Sequence, residues 1–264
     1  MAEHTFDLVV LGAGSGGYAA ALRASQLGMS VGLIEKDKVG GTCLHVGCIP
    51  TKALLHAAEV ADSARHSEMF GVKATLEGVD LPAVNTYRDG IVASKHKGLQ
   101  GLIKARGITT IEGTGKLISP TTIAVGEDTV VGKNVILATG SYPRSLPGLD
   151  IGGRIITSEQ ALALDWIPSK VIVLGGGVIG VEFASVWRSF GAEVTIVEGL
   201  PRLVPAEDES ISKQFERAYR KRGINFHTGV RFQSATQDDT SVTVTLEDGT
   251  TETADLLLVA VGRG

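Results

Sequence analysis

The two cysteines of this 264-residue sequence, Cys43 and Cys48, lie five positions apart in the segment GGTCLHVGCIPTK. On an ideal helix this spacing separates the Cα atoms by about 8 to 9 Å, beyond the ~7 Å that a disulfide can span. A bridge therefore needs a distorted backbone, which Gly47 and Pro50 can supply. Cys48 is then expected near a helix N-terminus, where a thiolate is favoured. We interpret the pair as redox-active.

Two other interpretations of the cysteines stay open from the residues alone. Cysteine is often a buried, unreactive side chain. Zinc would need two more ligands, for which His45 and His56 are candidates, but the spacing fits no familiar zinc pattern. A structural disulfide is disfavoured, because the sequence otherwise indicates a cytoplasmic protein, in which such bridges are rare. Redox chemistry stays the favoured interpretation of the pair. No metal site is predicted.

The cysteine segment follows a β-α-β pattern that occurs twice in the sequence. FDLVVLGAGSGGYAAALRASQLGMSVGLIEK predicts a strand, a glycine turn, a helix and a second strand that ends on Glu35. SKVIVLGGGVIGVEFASVWRSFGAEVTIVEG repeats this order and ends on Glu198. The acid lies 23 positions after the first motif glycine in both copies, from Gly12 to Glu35 and from Gly175 to Glu198. The sequence therefore predicts an internal repeat with a conserved register.

Both glycine turns have the residue types of a dinucleotide-binding motif. Glycines between a strand and a helix let the backbone approach a pyrophosphate, whose charge meets the helix N-terminus. The acid can accept hydrogen bonds from ribose hydroxyls. A bare glycine motif is equally consistent with a packing turn, but strand, helix and acid together favour dinucleotide binding. The motif glycines are Gly12, Gly14 and Gly17 in the first copy and Gly175, Gly177 and Gly180 in the second.

At the second motif, Glu198 favours NAD over NADP. A carboxylate repels the extra phosphate of NADP and pairs well with free ribose hydroxyls. Arg202 lies four positions further on and is expected to face solvent.

The remaining patterns predict an α/β protein with two Rossmann-like folds. Helices are predicted over residues 49–66 and 83–106, and short strands between 108 and 137 form an antiparallel insertion in the first fold. Prolines and glycines in residues 141–153 indicate a boundary, so the predicted domains are 1–145 and 146–264. A helix over 210–222 and three strands up to Val261 complete the second domain.

Composition excludes several classes of partner. A net charge of −4 and a pI near 5.9 give no basic surface for nucleic acid. The N-terminus MAEHTFDLVV lacks the positive charge of a secretory signal. The longest apolar stretch, 171–181, is shorter than the ~20 residues of a membrane span. We therefore expect a cytoplasmic protein without membrane or nucleic-acid contacts.

Taken together, GGTCLHVGCIPTK after the first fold and GGGVIGVEFASVW at the start of the second closely resemble the pyridine nucleotide-disulfide oxidoreductases, specifically those that oxidise a dihydrolipoyl group. The resemblance covers the whole chain, and the cysteine segment is its most specific part. It implies FAD in the first fold and NAD in the second. It also implies that electrons pass from the dihydrolipoyl group of an acyltransferase subunit in a 2-oxoacid dehydrogenase complex, through Cys43 and Cys48, to FAD and then to NAD.

The resemblance also implies individual roles. Cys43 resembles the thiol that exchanges with the substrate, and Cys48 the thiolate that contacts the flavin. Lys52 and Glu182 resemble a pair beside the flavin and nicotinamide rings; an ammonium one helical turn after Cys48 favours a thiolate or reduced flavin, and a carboxylate can neutralise it. The other implied cofactor contacts are Glu35, Lys36, Gly41, Thr42, Gly115, Thr139, Gly140 and Ser141 for FAD, and Ile179, Glu198, Val230 and Gly262 for NAD.

Two alternatives remain beside this function. One is a sibling reductase acting on glutathione, trypanothione-like thiols or mercuric ion, which Glu198 and the lack of further cysteines disfavour. The other is a cofactor-binding fragment without redox activity.

Family members continue beyond the position that corresponds to Gly264, with a strand returning to the FAD domain and an interface domain that forms a homodimer. The partner subunit supplies a His–Glu dyad as acid and base, and none of the six histidines here lies in a matching motif. Loss of a general base typically slows a reaction by about 10² to 10⁴. The 264-residue chain alone is therefore expected to oxidise dihydrolipoamide poorly or not at all.

Overall fold

A computed structural model describes residues 3–264 of the protein. The chain forms two compact units. The first contains the chain up to Pro50 together with Asp89–Ser141, and the second contains Thr51–Arg88 and Tyr142–Gly264. The division after Ser141 falls at the start of the predicted boundary region, whereas residues 51–88 group with the second unit.

The first unit is built around the first β-α-β repeat, whose predicted strands and helix are confirmed. Two long helices, α3 (Cys48–Arg65) and α4 (Leu81–Ala105), contribute residues to both units. The other elements of this unit are β1 (Glu3–Leu11), α1 (Ser15–Gln26), β2 (Val31–Glu35), α2 (Gly41–His45), β3 (Thr109–Glu112), β4 (Gly115–Ser119), β5 (Thr122–Val125) and β6 (Asp128–Leu137).

The six strands of the first unit form one sheet in the order β3-β2-β1-β6-β5-β4. Strands β3, β2, β1 and β6 are parallel, and β5 and β4 continue the sheet antiparallel, which confirms the predicted insertion. The central strands are apolar on both faces, as a covered parallel sheet requires; Val9, Val10, Leu33 and Ile34 are fully buried. All the parallel strands therefore end at the same edge, where the glycine turn lies.

The second unit contains the second repeat, whose predicted strands and helix are also confirmed. A short 3₁₀ turn (Ser67–Phe70) follows α3. The further elements are β7 (Ile155–Thr157), α5 (Ser158–Leu162), β8 (Lys170–Leu174), α6 (Val178–Phe190), β9 (Glu193–Glu198), α7 (Glu209–Lys221), β10 (Asn225–Thr228), β11 (Phe232–Gln237), β12 (Val242–Leu246), β13 (Thr251–Ala254) and β14 (Leu256–Val259).

The prediction of three strands after the last helix is wrong, because five follow α7. Strands β10 and β14 join a parallel sheet of order β10-β9-β8-β14-β7, while β11, β12 and β13 form a separate antiparallel sheet. A single residue, Asp255, separates β13 from β14, so the two strands look continuous in the sequence. Its carboxylate accepts hydrogen bonds from the backbone N–H groups of Ser169 and Lys170, which fixes the change of direction between the sheets.

Side chains from both sheets of the second unit share one core. Ile172 and Leu257 of the parallel sheet and Val242 and Val244 of β12 belong to the same buried cluster. Within residues 3–264, no helix combines the length and apolarity needed to cross a membrane.

Candidate functional site

The cysteine segment of the first unit is a broken helix. Helix α2 ends at His45 and α3 begins at Cys48. A Cβ atom on Gly47 would lie 2.9 Å from the Thr42 carbonyl oxygen and 3.3 Å from the Cα of Cys43, so only glycine lets the chain pass this close to the turn that carries Cys43. The predicted backbone break at Gly47 is confirmed. It brings the start of α3 back toward Cys43.

The two thiols differ in accessibility, with Cys43 half-buried and Cys48 exposed at the first position of α3.

The histidines considered as zinc ligands make other contacts. The Nε2 atom of His45 lies 2.9 Å from the Val39 carbonyl oxygen. The Nδ1 atom of His56 lies 3.4 Å from a carboxylate oxygen of Glu59. Within the described part of the chain, no three His, Cys, Asp or Glu side chains are arranged to hold a metal ion.

The three glycines of the first turn have different structural roles. Gly12 has φ +98°, and a Cβ there would lie 2.2 Å from the Ala138 carbonyl oxygen. A Cβ on Gly17 would lie 1.8 Å from the Gly12 carbonyl oxygen, so these two glycines serve close packing. At Gly14 the nearest atom to an added Cβ is the Cα of Gly41 at 3.9 Å. Gly14 therefore leaves the space through which a ligand can reach the backbone.

Helix α1 offers a binding site for an anion at this turn. Its N-terminus has no side-chain cap and no acidic residue in the first turn. Glu35 closes the turn, since its carboxylate accepts hydrogen bonds from Ala13 N at 2.7 Å and Asp37 N at 3.0 Å. These residues fit the pyrophosphate and ribose of a dinucleotide.

Other predicted FAD contacts surround the same turn. Helix α2 begins against it, because a Cβ on Gly41 would lie 2.6 Å from the Cα of Gly14. Thr42 follows in α2, and Lys36 follows β2 with its side chain exposed. Gly115 starts β4, and a Cβ there would lie 2.4 Å from Leu11 at the end of β1. The backbone N–H of Ala138 donates a hydrogen bond to the Leu11 carbonyl at 2.8 Å. The remaining three predicted contacts follow Ala138 directly: Thr139, Gly140 and Ser141.

The second glycine turn repeats this geometry. A Cβ on Gly175, at φ +112°, would lie 2.4 Å from the Ala260 carbonyl oxygen, and one on Gly180 would lie 1.9 Å from the Gly175 carbonyl oxygen. At Gly177 an added Cβ would meet no atom within 4 Å. Helix α6 starts here without a side-chain cap or an acidic residue in its first turn. The open position again lies at an uncapped helix N-terminus.

A cavity of about 500 Å³ lies at this second turn. Five of the predicted NAD contacts line it: Gly175, Gly177, Ile179, Glu198 and Gly262. Val230 is not part of the lining, whereas the next residue, Arg231, is. No pattern in the sequence singled out Arg231, because an isolated arginine before a strand is usually a solvated surface residue.

Lys52 and Glu182, both in the second unit, form an ion pair. The Nζ atom of Lys52 lies 2.5 Å from Oε1 of Glu182, although 130 positions separate the two residues. The side chains are 59% and 29% exposed, so the pair contributes little to folding stability. The predicted contact between the Lys52 ammonium and the Glu182 carboxylate is present. Its effect is on the local charge more than on the stability of the fold.

His96 is a residue that the sequence did not single out. It lines a cavity of about 340 Å³ in the first unit, beside Glu35. Its Nε2 atom is buried without a hydrogen-bond partner among the described residues. Burial, reinforced by the charges of His45 and Lys38, lowers the pKa of His96 below its ordinary value. The sequence around His96 predicts only a position on a helix and does not indicate that its Nε2 atom is buried.

Comparison with known proteins agrees with the geometry. Residues 6–264 match the family described as pyridine nucleotide-disulphide oxidoreductase. The chain belongs to this family. Its two Rossmann-like units are thus features of the family, and the fold class predicted from the sequence is confirmed.

Individual relatives show how much of the family's length this chain represents. It is 42% identical over 277 residues to dihydrolipoyl dehydrogenase of Bacillus subtilis (strain 168), covering 98% of this chain and 58% of the relative. The structure of LpdA from Mycobacterium tuberculosis has a TM-score of 0.88 at 27% identity, with 98% and 59% covered. The HOCl-induced flavoprotein disulfide reductase RclA from Escherichia coli, as its Cu(II) complex, has a TM-score of 0.83 at 26% identity, with 98% and 57% covered. The chain therefore spans a little over half the length of the relatives it matches.

Proposed function

We propose that the protein acts as a dihydrolipoamide dehydrogenase, oxidising the dihydrolipoyl group of an acyltransferase subunit and reducing NAD. The observation that carries this proposal is the broken helix of the first unit, which places a half-buried and an exposed thiol on either side of Gly47. The similarity to the dihydrolipoyl dehydrogenase of Bacillus subtilis supports it. Function as a homodimer and a cytoplasmic location belong to the same proposal.

We assign FAD to the predicted domain 1–145 and NAD to the predicted domain 146–264. The support is the open position at each helix N-terminus, Gly14 in the first unit and Gly177 in the second. Glu35 and Glu198 would hold the ribose hydroxyls. When bound, FAD accepts two electrons from the protein dithiol and donates them to NAD.

The cysteines carry out the thiol–disulfide exchange that precedes electron transfer. A substrate thiolate bonds to the Cys43 sulfur of the oxidised pair, breaking the Cys43–Cys48 bond and releasing Cys48 as a thiolate. The second substrate thiol, losing its proton to a base, then displaces Cys43 and closes the substrate disulfide. The protein is left with both cysteines reduced, ready to pass two electrons to the flavin.

Lys52 and Glu182 are proposed to adjust charge beside the flavin and nicotinamide rings. Lys52 lies one turn after Cys48 on α3, so its ammonium stabilises negative charge at that end of the helix. The short contact with Glu182 keeps part of that charge neutralised.

Flavin binding and absorbance test the proposal. The purified chain is mixed with FAD, freed of excess cofactor, and reduced anaerobically with NADH or dithionite. We expect retained flavin and, on reduction, a long-wavelength band from a thiolate against oxidised flavin. Cys43→Ser has no disulfide to reduce, so its band should be present before any reductant is added. Cys48→Ser should show no band, because only Cys48 is assigned to the flavin. A folded chain that retains no flavin would refute the assignment.

A further inference from the structure

The cavity of the second unit contains one charge of each sign. Among the described residues that line it, Glu198 and Arg231 are the charged ones. Glu198 alone favours NAD, since its carboxylate repels a 2′-phosphate on the adenosine ribose. The arginine changes the electrostatic balance at the end of β9.

The carboxylate of Glu198 is already engaged by the backbone. Oε2 accepts a hydrogen bond from Gly176 N at 2.6 Å, and Oε1 accepts one from Leu200 N at 2.7 Å. Such bonds between a charged acceptor and N–H dipoles offset part of the negative potential around the oxygens. Glu198 therefore repels an added phosphate less than an unbonded carboxylate would.

The backbone on both sides of Arg231 is held close to the end of β9. Gly229 N donates a hydrogen bond to the Leu200 carbonyl at 2.8 Å, and the Arg231 carbonyl accepts one from Glu247 N at 2.9 Å. A Cβ on Gly199 would lie 3.6 Å from Cγ of Arg231, so the arginine stem lies against the residue that follows Glu198. The position of the stem is thus set by Gly199, after β9, and by Glu247, after β12.

The guanidinium of Arg231 is available to a ligand. The side chain is exposed and donates to no acceptor among the described residues. Arg202, the arginine nearer to Glu198 in sequence, behaves differently. It donates to the carbonyl oxygens of Pro205 and Glu207 at 3.0 and 3.2 Å and does not line the cavity. Arg231 is therefore the cation that this cavity offers to a phosphate.

We propose that Arg231 is a specificity-determining residue that binds the 2′-phosphate of NADP(H), so that the second unit accepts NADP(H) as well as NAD(H). This inference rests on the proposed dinucleotide site at Gly177. A guanidinium matches a phosphate in both charge and hydrogen-bond geometry, whereas a ribose hydroxyl gains little from it. Arg231 therefore contributes to NADPH binding and hardly to NADH binding.

Calorimetric titration of the full chain with NADH and with NADPH tests this. In Arg231→Gln, the affinity for NADPH should fall about tenfold, the loss of one charge-assisted hydrogen bond, while that for NADH stays within about twofold. Glu198→Gln should have the opposite effect and raise the affinity for NADPH. Arg217→Gln is the matched control, because Arg217 is an exposed arginine of α7 outside the cavity lining.

The possible outcomes separate this inference from the proposed function. If the wild-type chain binds NADH but not NADPH, or if Arg231→Gln weakens both ligands equally or neither, the role of Arg231 is refuted and the NAD site stands. If the folded chain binds neither dinucleotide, the site at Gly177 is refuted together with the role of Arg231. Thermal unfolding of each variant shows whether a lost affinity reflects a lost fold.

Discussion

At the scale of single residues, Lys52 and Glu182 offer a test of charge placement beside the flavin. If the proposed role is right, Lys52→Leu removes a cation that stabilises reduced flavin, so the flavin reduction potential should fall. Glu182→Gln removes the neutralising carboxylate, so the potential should rise. A shift of about 30 mV would correspond to ~1.4 kcal/mol for this two-electron couple. The potentials are measured by equilibration with a reference dye.

The opposite signs distinguish an electrostatic role from a structural one, because a purely structural ion pair would give shifts of one sign or none. Lys170→Leu is the matched control. Lys170 forms a comparable ion pair with Glu252 at 3.1 Å in the same unit, but at the start of β8, away from the glycine turn. Equal shifts in Lys52→Leu and Lys170→Leu would contradict the assignment.

At the scale of elements, two variants in the glycine turn of the second unit distinguish a glycine that binds ligand from a glycine that allows close packing. Gly177→Ala adds a Cβ that meets no atom within 4 Å, at a φ of −75° that alanine adopts freely. The free energy of unfolding should fall by no more than about 1 kcal/mol, because alanine is a weaker N-cap than glycine. NADH should nevertheless bind more weakly, because the methyl group occupies the path of the pyrophosphate. Gly180→Ala places its Cβ 1.9 Å from the Gly175 carbonyl oxygen and should cost about 1 to 3 kcal/mol of stability.

Thermal unfolding and NADH titration of both variants measure these effects, and Gly16→Ala provides a third case. Gly16 lies in α1 of the first unit with no atom within 4 Å of an added Cβ. This variant should leave NADH binding unchanged and raise the free energy of unfolding by up to about 1 kcal/mol, because alanine favours a helix more than glycine does. Unchanged NADH binding by Gly177→Ala would place the pyrophosphate elsewhere.

The elements also show which parts of the structure the sequence could predict. Both β-α-β repeats and the helix break at Gly47 depend on neighbouring residues, so local patterns were sufficient for them. The separation of β13 from β14 depends on hydrogen bonds between Asp255 and residues 169–170, 85 or more positions away. The position of Arg231 depends similarly on contacts with Gly199 and Glu247. Such long-range contacts leave no periodic signal in the sequence.

At the scale of the whole molecule, the lowered pKa of His96 predicts how the free energy of unfolding changes with pH. Its pKa in the folded protein is lowered, first by burial and then by the positive charges of His45 and Lys38, while Asp37 acts in the opposite direction. Between this lowered pKa and the unfolded value of about 6.5, the unfolded chain binds more protons than the folded chain. The free energy of unfolding should therefore fall as the pH is lowered through about 6.5 and reach a plateau below the folded pKa.

Urea unfolding of the chain between about pH 5 and pH 8 measures this dependence, with fluorescence and circular dichroism followed together because two units need not unfold as one. His96→Asn removes the titrating group, so it should lessen the loss of stability below about pH 6.5. His56→Asn is measured beside it, as the substitution of a histidine whose side chain is exposed. A slope that His96→Asn does not alter would show that other groups bind the protons, and that the buried Nε2 of His96 does not limit the stability of the fold in acid.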